Sequence, residues 1–245
     1  MRKQQHKSIM FQILQILFDS EYAKILWLKW WTALYFFYWL PRFSVDLDFD
    51  ILKDLTKDEI TDLKQWIFEL LKNNLWKKWI KIKPEWTLAY SFKFIVQYWG
   101  EKKLKLEFNT KMYENSYNIK SLLWTSVQIM DISYMFAHKL CAFLSRYQQK
   151  NSIANRDLFD IKFLMENNFP INEKIIKIRT KKMIWKDLDI KWYIKYLLNF
   201  IDKHKKEIQN NILYWIWELI DDTQKNYMKN RFLDDLIREF SLYCL

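Results

Sequence analysis

The chain has 245 residues, of which 51% are hydrophobic and 28% are charged, and its formal net charge is +11. This composition excludes a disordered chain and a protein of many membrane spans, and the length is ample for one large or two small cores. The only cysteines, Cys141 and Cys244, are too few for a disulfide framework or a four-ligand zinc site. Because Gln12, Gln15 and Asp19 interrupt the apolar stretch that a secretory signal needs, we expect a cytoplasmic protein with free thiols.

The numbers of glycine and tryptophan residues are abnormal. The chain contains one glycine, Gly100, and 14 tryptophans. Average glycine usage, roughly 7%, would give about 17 glycines in a chain of this length. We hypothesise that many of the tryptophans are glycines in the natural protein, because its gene comes from an organism that reads the codon UGA as glycine. The alternative is a genuinely tryptophan-rich chain.

The first third of the chain alternates between helical and strand patterns. Apolar residues recur at helical spacing over 8–26, and the apolar run 25–28 predicts a buried strand. The segment 26–40 contains Lys29 and is shorter than a membrane span, so we reject a membrane helix there. With glycine at 30, 31 and 39, this segment is typical of a strand, a tight turn and an amphipathic helix.

Strand patterns continue beyond this helix. Strict alternation over 46–51 predicts a strand with one polar face. Thr56 and Glu59 have the spacing of a capping box, which predicts a helix ending near residue 73. Three further alternating segments predict strands, with a hairpin turn at 99–100 between the last two; they span 79–83, 87–98 and 102–109.

From residue 131 onward the apolar spacing is helical. The predicted helices span 131–148, 155–167, 172–182, 187–204 and 206–243, the last in two or more pieces. This change in composition predicts two domains, 1–130 and 131–245. We therefore predict an α+β fold, in which a mixed or antiparallel sheet flanked by helices precedes a C-terminal helical lobe.

The sharpest chemical feature is a pair of carboxylates, Asp46 and Asp48. Residues at i and i+2 of a strand project from the same face, so the pair is placed to hold a divalent metal jointly, and hard oxygen ligands favour Mg²⁺. The strand–turn–helix entry just before the pair suits nucleotide phosphates, which bind backbone N–H groups at a helix N-terminus. The backbone must approach the phosphates closely at such a turn, which requires glycine, and Trp30 and Trp31 occupy these positions.

With glycine at 30, 31 and 39, residues 28–49 become LKGGTALYFFYGLPRFSVDLDF. This segment resembles the nucleotidyltransferase signature and, more narrowly, the AbiEii/AbiGii-type toxin nucleotidyltransferases of abortive-infection and type IV toxin–antitoxin systems. A second family landmark, a Lys-Leu-x-Ala helix with a later arginine and then an Arg-Asp-x-x-Asp segment, is matched at 139–146 and 156–160. The resemblance covers roughly residues 20–170, and its departure is the missing Gly-Gly.

The resemblance implies a two-lobed enzyme that transfers a nucleoside monophosphate from an NTP and releases pyrophosphate. Asp46 and Asp48 would hold Mg²⁺, and Glu107 is the candidate for a third carboxylate on a neighbouring strand. The NTP would lie in a cleft between the lobes, bound by residues of both landmarks: Trp30, Trp31, Thr32, Arg42, Ser44, Lys139 and Arg146. Lys139 would neutralise triphosphate charge. A nearby group would either orient the catalytic residues or form a further acidic site: Arg156, Asp157 and Asp160.

Each of these residues also has a purely structural interpretation. The acidic pair could lie on the wet face of an edge strand, and Lys139 could be a solvated helix residue. Arg156 and Asp160, four residues apart, could form a surface ion pair of small energetic value. Glu107 could be an ordinary surface residue.

The excess of basic residues suits a polyanionic partner. Because the acceptor in relatives can be tRNA, we expect an RNA 3′ hydroxyl as acceptor, and an antitoxin from the same operon as a second partner. Lysine-rich faces that reflect only codon usage and solubility are the alternative. The basic residues cluster at Lys72, Lys77, Lys78, Lys81 and Lys83, at Lys174, Lys177, Arg179, Lys181, Lys182 and Lys186, and at Lys203, Lys205 and Lys206.

Two other function classes stay open at this point. One is a non-catalytic RNA-binding protein on a degenerate transferase fold. The other is a housekeeping or antibiotic-modifying nucleotidyltransferase, which toxicity on expression would distinguish from a toxin.

Overall fold

The computed structural model describes residues 2–75, 80–85, 91–98, 102–110, 115–185 and 187–244. The chain divides into two compact units, Met1–Asp131 and Ile132–Leu245. The hairpin turn predicted at 99–100 lies outside the described residues. Within the described ranges, no helix combines the length and the apolarity that crossing a bilayer requires.

The first unit has the predicted α+β architecture. Its helices are α1 (Arg2–Phe18), α2 (Trp30–Phe37) and α3 (Lys57–Asn74). Its strands are β1 (Leu26–Lys29), β2 (Asp46–Ile51), β3 (Ile80–Glu85), β4 (Ser91–Tyr98), β5 (Lys102–Asn109), β6 (Tyr117–Leu122) and β7 (Thr125–Met130). The last two strands form a hairpin that the sequence patterns did not predict.

The strands form one mixed sheet in the order β3-β4-β5-β2-β1-β7-β6. The pairs β2–β5 and β1–β7 are parallel, and the other neighbours are antiparallel. The strand that carries the acidic pair, β2, therefore lies in the middle of the sheet. The interpretation of the pair as the wet face of an edge strand is wrong.

The apolar face of the sheet determines where its polar face lies. Phe49, Phe108 and Phe92 occupy matched positions on three neighbouring strands and stack with ring centroids 4.8 and 4.9 Å apart. All three rings are buried. Because side chains alternate along a strand, burying Leu47 and Phe49 places Asp48 on the opposite face.

The start of α3 confirms the predicted capping box. The Glu59 backbone N–H donates to Thr56 Oγ1 at 3.2 Å, and the Thr56 N–H donates to Glu59 Oε2 at 2.8 Å. These two bonds satisfy donors that the first turn of a helix otherwise leaves unpaired.

The second unit is helical, as predicted. Its helices are α4 (Ile132–Lys150), α5 (Asn155–Glu166), α6 (Glu173–Ile184), α7 (Ile190–Lys203), α8 (Lys205–Asn210), α9 (Asp222–Asn230) and α10 (Phe232–Cys244). The buried side chains of two of its helices, α7 and α10, recur at three and four residue spacing, whereas α4 and α5 are buried on most of their faces.

Several tryptophans adopt a backbone conformation that favours glycine. Four of the seven non-glycine residues with positive φ in the described chain are tryptophans: Trp30 at 62°, Trp39 at 56°, Trp185 at 56° and Trp215 at 66°. A residue with a Cβ in this left-handed region costs roughly 1–2 kcal/mol. The backbone thus supports the hypothesis that glycine stands at these positions in the natural protein.

Two of these tryptophans end helices. Trp185 is the left-handed C-cap of α6, and Trp39 follows α2, where the Leu40 N–H donates back to the Leu34 carbonyl at 3.2 Å. Glycine most often occupies such helix-ending positions. The side chains of Trp39 and Trp185 are 84% and 90% exposed, so burial contributes little to offset the backbone cost.

Trp39→Gly and Trp185→Gly are each expected to raise the free energy of unfolding, by roughly 0.5–1 kcal/mol, because they remove the left-handed strain. Trp192→Gly is the matched control, since Trp192 is also exposed but lies within α7 at negative φ. This control is expected to lose about 0.5–1 kcal/mol. Urea denaturation measures all three. Equal destabilisation by the three substitutions would contradict the glycine hypothesis.

Candidate active site

The acidic pair lies beside the β1–α2 turn. Strand β1 ends at Lys29, and α2 begins at the next residue. Lys29 is in register with Asp48 on the antiparallel neighbour β2. Asp46, two residues before Asp48, projects from the same face of this strand. The sequence therefore predicted correctly that both carboxylates share a face next to the turn.

Two indoles lie at this turn. Trp30 starts α2 at φ 62°, and its ring stacks on that of Trp31 with centroids 6.1 Å apart. The Lys29 ammonium lies 5.7 Å from the Trp30 ring, and the Arg42 guanidinium lies 5.3 Å from the Trp31 ring. The Lys29 side chain makes no capping hydrogen bond to the helix. Glycine at both positions would remove the rings and leave a helix N-terminus suited to phosphate.

Thr32 and Ser44, two other residues of the first landmark, join α2 to the chain at the start of the acidic strand. The buried hydroxyls of Thr32 and Ser44 hydrogen-bond each other at 2.9 Å, and Thr32 also donates to the backbone carbonyl of Asp46. Arg42 is buried too, and its Nη1 donates to the Phe43 carbonyl at 3.1 Å. The sequence analysis predicts that these side chains contact nucleotide, and this stays a prediction; in the structure the Thr32 hydroxyl also fixes the backbone at the start of β2.

Glu107, the predicted third carboxylate, lies on the strand next to the acidic pair. Strand β5 runs parallel to β2, with Asp46 opposite Lys105 and Asp48 opposite Glu107. Lys105 Nζ lies 3.7 Å from Asp46 Oδ2 and 3.4 Å from Glu107 Oε2. Lys93 Nζ on β4 lies 3.3 Å from Glu107 Oε2. The fold therefore brings three carboxylates to one face, together with lysines that sequence patterns did not single out.

The surroundings of Asp48 disfavour its charged form. Burial raises the pKa of the Asp48 carboxyl to about 6. The positive charges of Lys105 and Lys29 oppose this rise in pKa, and the negative charges of Asp46 and Glu107 add to it. A carboxylate held in such surroundings is stabilised when a divalent cation binds, which is a common property of functional sites.

A second charged group, next to the acidic pair, was also missed. Lys29 Nζ lies 2.5 Å from Asp50 Oδ1, and both side chains are buried. The Tyr117 hydroxyl donates to Asp50 Oδ2 at 3.4 Å. Asp50 therefore neutralises the charge of Lys29 and is not a candidate metal ligand. The predicted metal ligands stay Asp46 and Asp48.

The donor set suits Mg²⁺ completed by a substrate. Among the described residues, no three His, Cys, Asp or Glu side chains form a ready-made metal cluster. Mg²⁺ is commonly bound by one or two carboxylates and by substrate phosphates, with waters filling the remaining positions. Asp46 and Asp48 fit this arrangement, because they are adjacent hard oxygen ligands beside a candidate phosphate turn.

The second landmark forms a buried ionic cluster in the helical unit. Lys139 Nζ on α4 lies 3.0 Å from Asp157 Oδ1 and 2.7 Å from Asp160 Oδ2, both on α5. Arg146 Nη1 lies 2.7 Å from Asp157 Oδ2. Lys139 is only 1% exposed, so the interpretation as a solvated residue is wrong. Asp160 is buried as well, which also excludes a surface ion pair with Arg156.

A basic cavity of about 230 Å³ adjoins this cluster. Arg156 Nε is buried there and has no hydrogen-bond partner among the residues that the structure describes. With its arginines and a lysine, the cavity is suited to an anionic group. The sequence patterns singled out Arg146 and Arg156 but none of the other lining residues, although the four-residue spacing of Arg146 and Lys150 on α4 was a usable signal for Lys150. The lining residues are Arg146, Lys150, Ser152, Ala154, Arg156 and Trp215.

Solved structures share the fold of this chain. JHP933 from Helicobacter pylori is similar at a TM-score of 0.65 and 20% identity, covering 99% of this chain and 92% of that one. The nucleotidyltransferase toxin MenT4 from Mycobacterium tuberculosis is similar at a TM-score of 0.54 and 12% identity, covering 98% of this chain and 87% of that one. At these identities the likeness establishes the fold.

The family follows from the sequence itself. A profile of the nucleotidyl transferase AbiEii toxin of type IV toxin–antitoxin systems matches residues 12–232, and the chain belongs to this family. No curated protein matches the chain significantly. The resemblance inferred from the two landmarks is therefore confirmed.

Proposed function

We propose that this protein is a Mg²⁺-dependent toxin that transfers a nucleoside monophosphate from an NTP to the 3′ hydroxyl of an RNA, in particular a tRNA. An antitoxin encoded beside it would restrain this activity. The family supports a nucleotidyltransferase of a toxin–antitoxin system. The observation that carries the proposal is the placement of Asp46 and Asp48 on one sheet face beside the β1–α2 turn.

In the proposed reaction, Asp46 and Asp48 would hold Mg²⁺, which would supply positive charge to neutralise the phosphates and to make the attacking hydroxyl more acidic. The backbone N–H groups at the start of α2 bind the triphosphate. Glu107 accepts the proton of the 3′ hydroxyl. The hydroxyl oxygen forms a bond to the α-phosphorus, the α–β phosphoanhydride bond breaks, and pyrophosphate leaves with the bonding electrons.

The helical unit contributes positive charge to this proposal. We assign Arg146 and Arg156, at the basic cavity, to an anionic group of a ligand. Lys139 lies between two buried aspartates, so its role is to hold Asp157 and Asp160 and, through Asp157, to orient Arg146. Buried charges of this kind persist only when each has a partner.

The proposal is tested with the Trp30→Gly/Trp31→Gly chain, tRNA, Mg²⁺ and each NTP in turn, labelled at either the α- or the γ-phosphate. We expect the α-label on the RNA and the γ-label in pyrophosphate. RNA whose 3′ diol has been oxidised by periodate is expected to accept no label. Labelled protein, or RNA labelled from the γ-phosphate, would contradict the proposed reaction.

One observation favours a second candidate, a non-catalytic RNA-binding protein. In the chain with tryptophan at 30 and 31, two indoles lie where the triphosphate would bind. If the natural protein carries these tryptophans, it would bind RNA without transferring nucleotide, and the glycine variant would be inactive as well. The family match favours a toxin over a housekeeping or antibiotic-modifying enzyme.

A further inference from the structure

The sheet face that carries the carboxylates continues as a lysine-rich surface to the edge of the sheet. Lys83 on β3, Ile95 on β4, Lys105 on β5 and Asp46 on β2 are in register across four strands. Residues in register project from the same face of a sheet. The row that begins with Asp46 therefore ends in a lysine, Lys83, at the edge strand.

The neighbouring row has the same character. Lys81 on β3, Gln97 on β4 and Lys103 on β5 are in register, one pleat along from the first row. Lys81, Lys83 and Lys103 are all exposed. We call these three residues the lysine track. The row on the other side of the first, with Asp48 on β2, Glu107 on β5 and Lys93 on β4, ends in Glu85 on β3, so the track excludes it.

The dimensions of the track suit the end of a nucleic-acid strand. Neighbouring strands lie about 4.8 Å apart, so the edge strand is about 14 Å from β2. A strand whose 3′ hydroxyl is at Asp46 and Asp48 would cross the track within a few nucleotides. Its phosphates would then meet exposed ammonium groups, which bind them as point charges.

We propose that Lys81, Lys83 and Lys103 bind the phosphates of the acceptor RNA just before its 3′ end. This inference rests on the proposed function, because it assigns the place of that function's acceptor. An acidic protein partner would also be attracted to lysines. An acidic protein could bind lysines anywhere on the surface. The RNA acceptor, by contrast, must run from the lysines to the carboxylates, and the two groups lie on the same sheet face in neighbouring register.

The test compares Lys81→Glu/Lys83→Glu with a charge-matched control, Lys24→Glu/Lys57→Glu. The control lysines are also exposed on the first unit but lie outside β3, β4 and β5. Binding of a 5′-labelled single-stranded RNA is measured by fluorescence anisotropy, without NTP, over a range of salt concentrations. Because all four side chains are exposed, circular dichroism and the thermal midpoint are expected to stay unchanged.

We expect the track variant to weaken RNA binding at least tenfold and the control less than threefold. For a single strand, each lost phosphate contact reduces the slope of log K against log salt concentration by about 0.7. The track variant loses two contacts, so its slope is expected to be smaller in magnitude by about 1.4. Equal weakening of RNA binding by both variants would show that RNA responds only to the overall positive charge of the protein, and would overturn the proposed role of the lysine track. Unchanged RNA binding with lost inhibition by a co-expressed antitoxin would overturn it in favour of a protein-docking surface.

Transfer kinetics separate this inference from the proposed function. In the Trp30→Gly/Trp31→Gly background, the track variant is expected to raise the KM for RNA at least tenfold and leave the KM for NTP unchanged. Transfer with an unchanged KM for RNA would overturn the track while the proposed function holds. Absence of any transfer, with the binding difference intact, would overturn the proposed function alone.

Discussion

The Trp30→Gly/Trp31→Gly chain is expected to transfer nucleotide at least about 100-fold faster than the chain with both tryptophans, a difference of roughly 3 kcal/mol in transition-state stabilisation. The two rings lie at the N-terminus of α2, next to the acidic pair. A triphosphate there needs close approach to the backbone, which side chains of this size prevent. Pyrophosphate release measures the rate.

Alanine at the same two positions separates the two effects of glycine. Trp30→Ala/Trp31→Ala removes the rings but keeps a Cβ at φ 62°, so we expect a smaller gain than with glycine. Trp192→Gly, on α7, is expected to leave transfer unchanged. Equal transfer by the tryptophan, alanine and glycine chains would refute the requirement for a bare backbone at this turn.

The codons of the gene test the same hypothesis without an assay. We expect UGA at the positions where a tryptophan has positive φ, namely 30, 39, 185 and 215, and also at 31. UGG at these positions would show that tryptophan is the natural residue. The protein would then be a transferase fold with a filled phosphate site, as the second candidate function requires.

Asp48→Asn in the glycine background is expected to abolish transfer, with a loss of roughly 1000-fold, because one of two Mg²⁺ ligands is lost and a metal contributes several kcal/mol to catalysis. Mn²⁺ binding, followed by electron paramagnetic resonance, is expected to weaken in parallel. Asp54→Asn is the control, since Asp54 is an exposed carboxylate beyond the end of β2. Full activity of Asp48→Asn would refute the assignment of the acidic pair.

The same substitution is expected to stabilise the metal-free protein. The pKa of Asp48 is raised to about 6 in the folded state, so between about pH 4 and 6 the folded chain binds more protons than the unfolded chain. Stability contributed by this group is therefore lost as pH rises through that window. At pH 8 with chelator, Asp48→Asn should exceed the parent by about 1–3 kcal/mol, and the gain should vanish near pH 4.

A gain that does not change with pH would show that packing, and not the charge of Asp48, underlies the stability difference. Asp54→Asn is expected to change the free energy of unfolding little at either pH, because its side chain is exposed. Asp48→Asn is thus expected to lower activity and raise stability. This combination is typical of an active site in which a charge needed for function destabilises the folded protein.

Local patterns predicted most elements of the fold because they depend on neighbouring residues. The alternation over 46–51 gave β2 its bounds, and the Thr56–Glu59 spacing located the start of α3. The hairpin of β6 and β7 was missed. Its two-residue turn, Leu123-Trp124, has no glycine or asparagine although Leu123 has a φ of 54°, and β6 is largely exposed without alternation.

The sequence by itself determined that Asp46 and Asp48 share a face of β2, because side chains two residues apart on a strand always project from the same side. It also identified the family, since the landmarks are short runs of residues. Only the tertiary structure placed Glu107 and Lys105 against the pair and buried Lys139 between two aspartates. Those contacts depend on the register of a parallel strand pair and on helix packing, which join residues distant in the chain and leave no periodic signal along it.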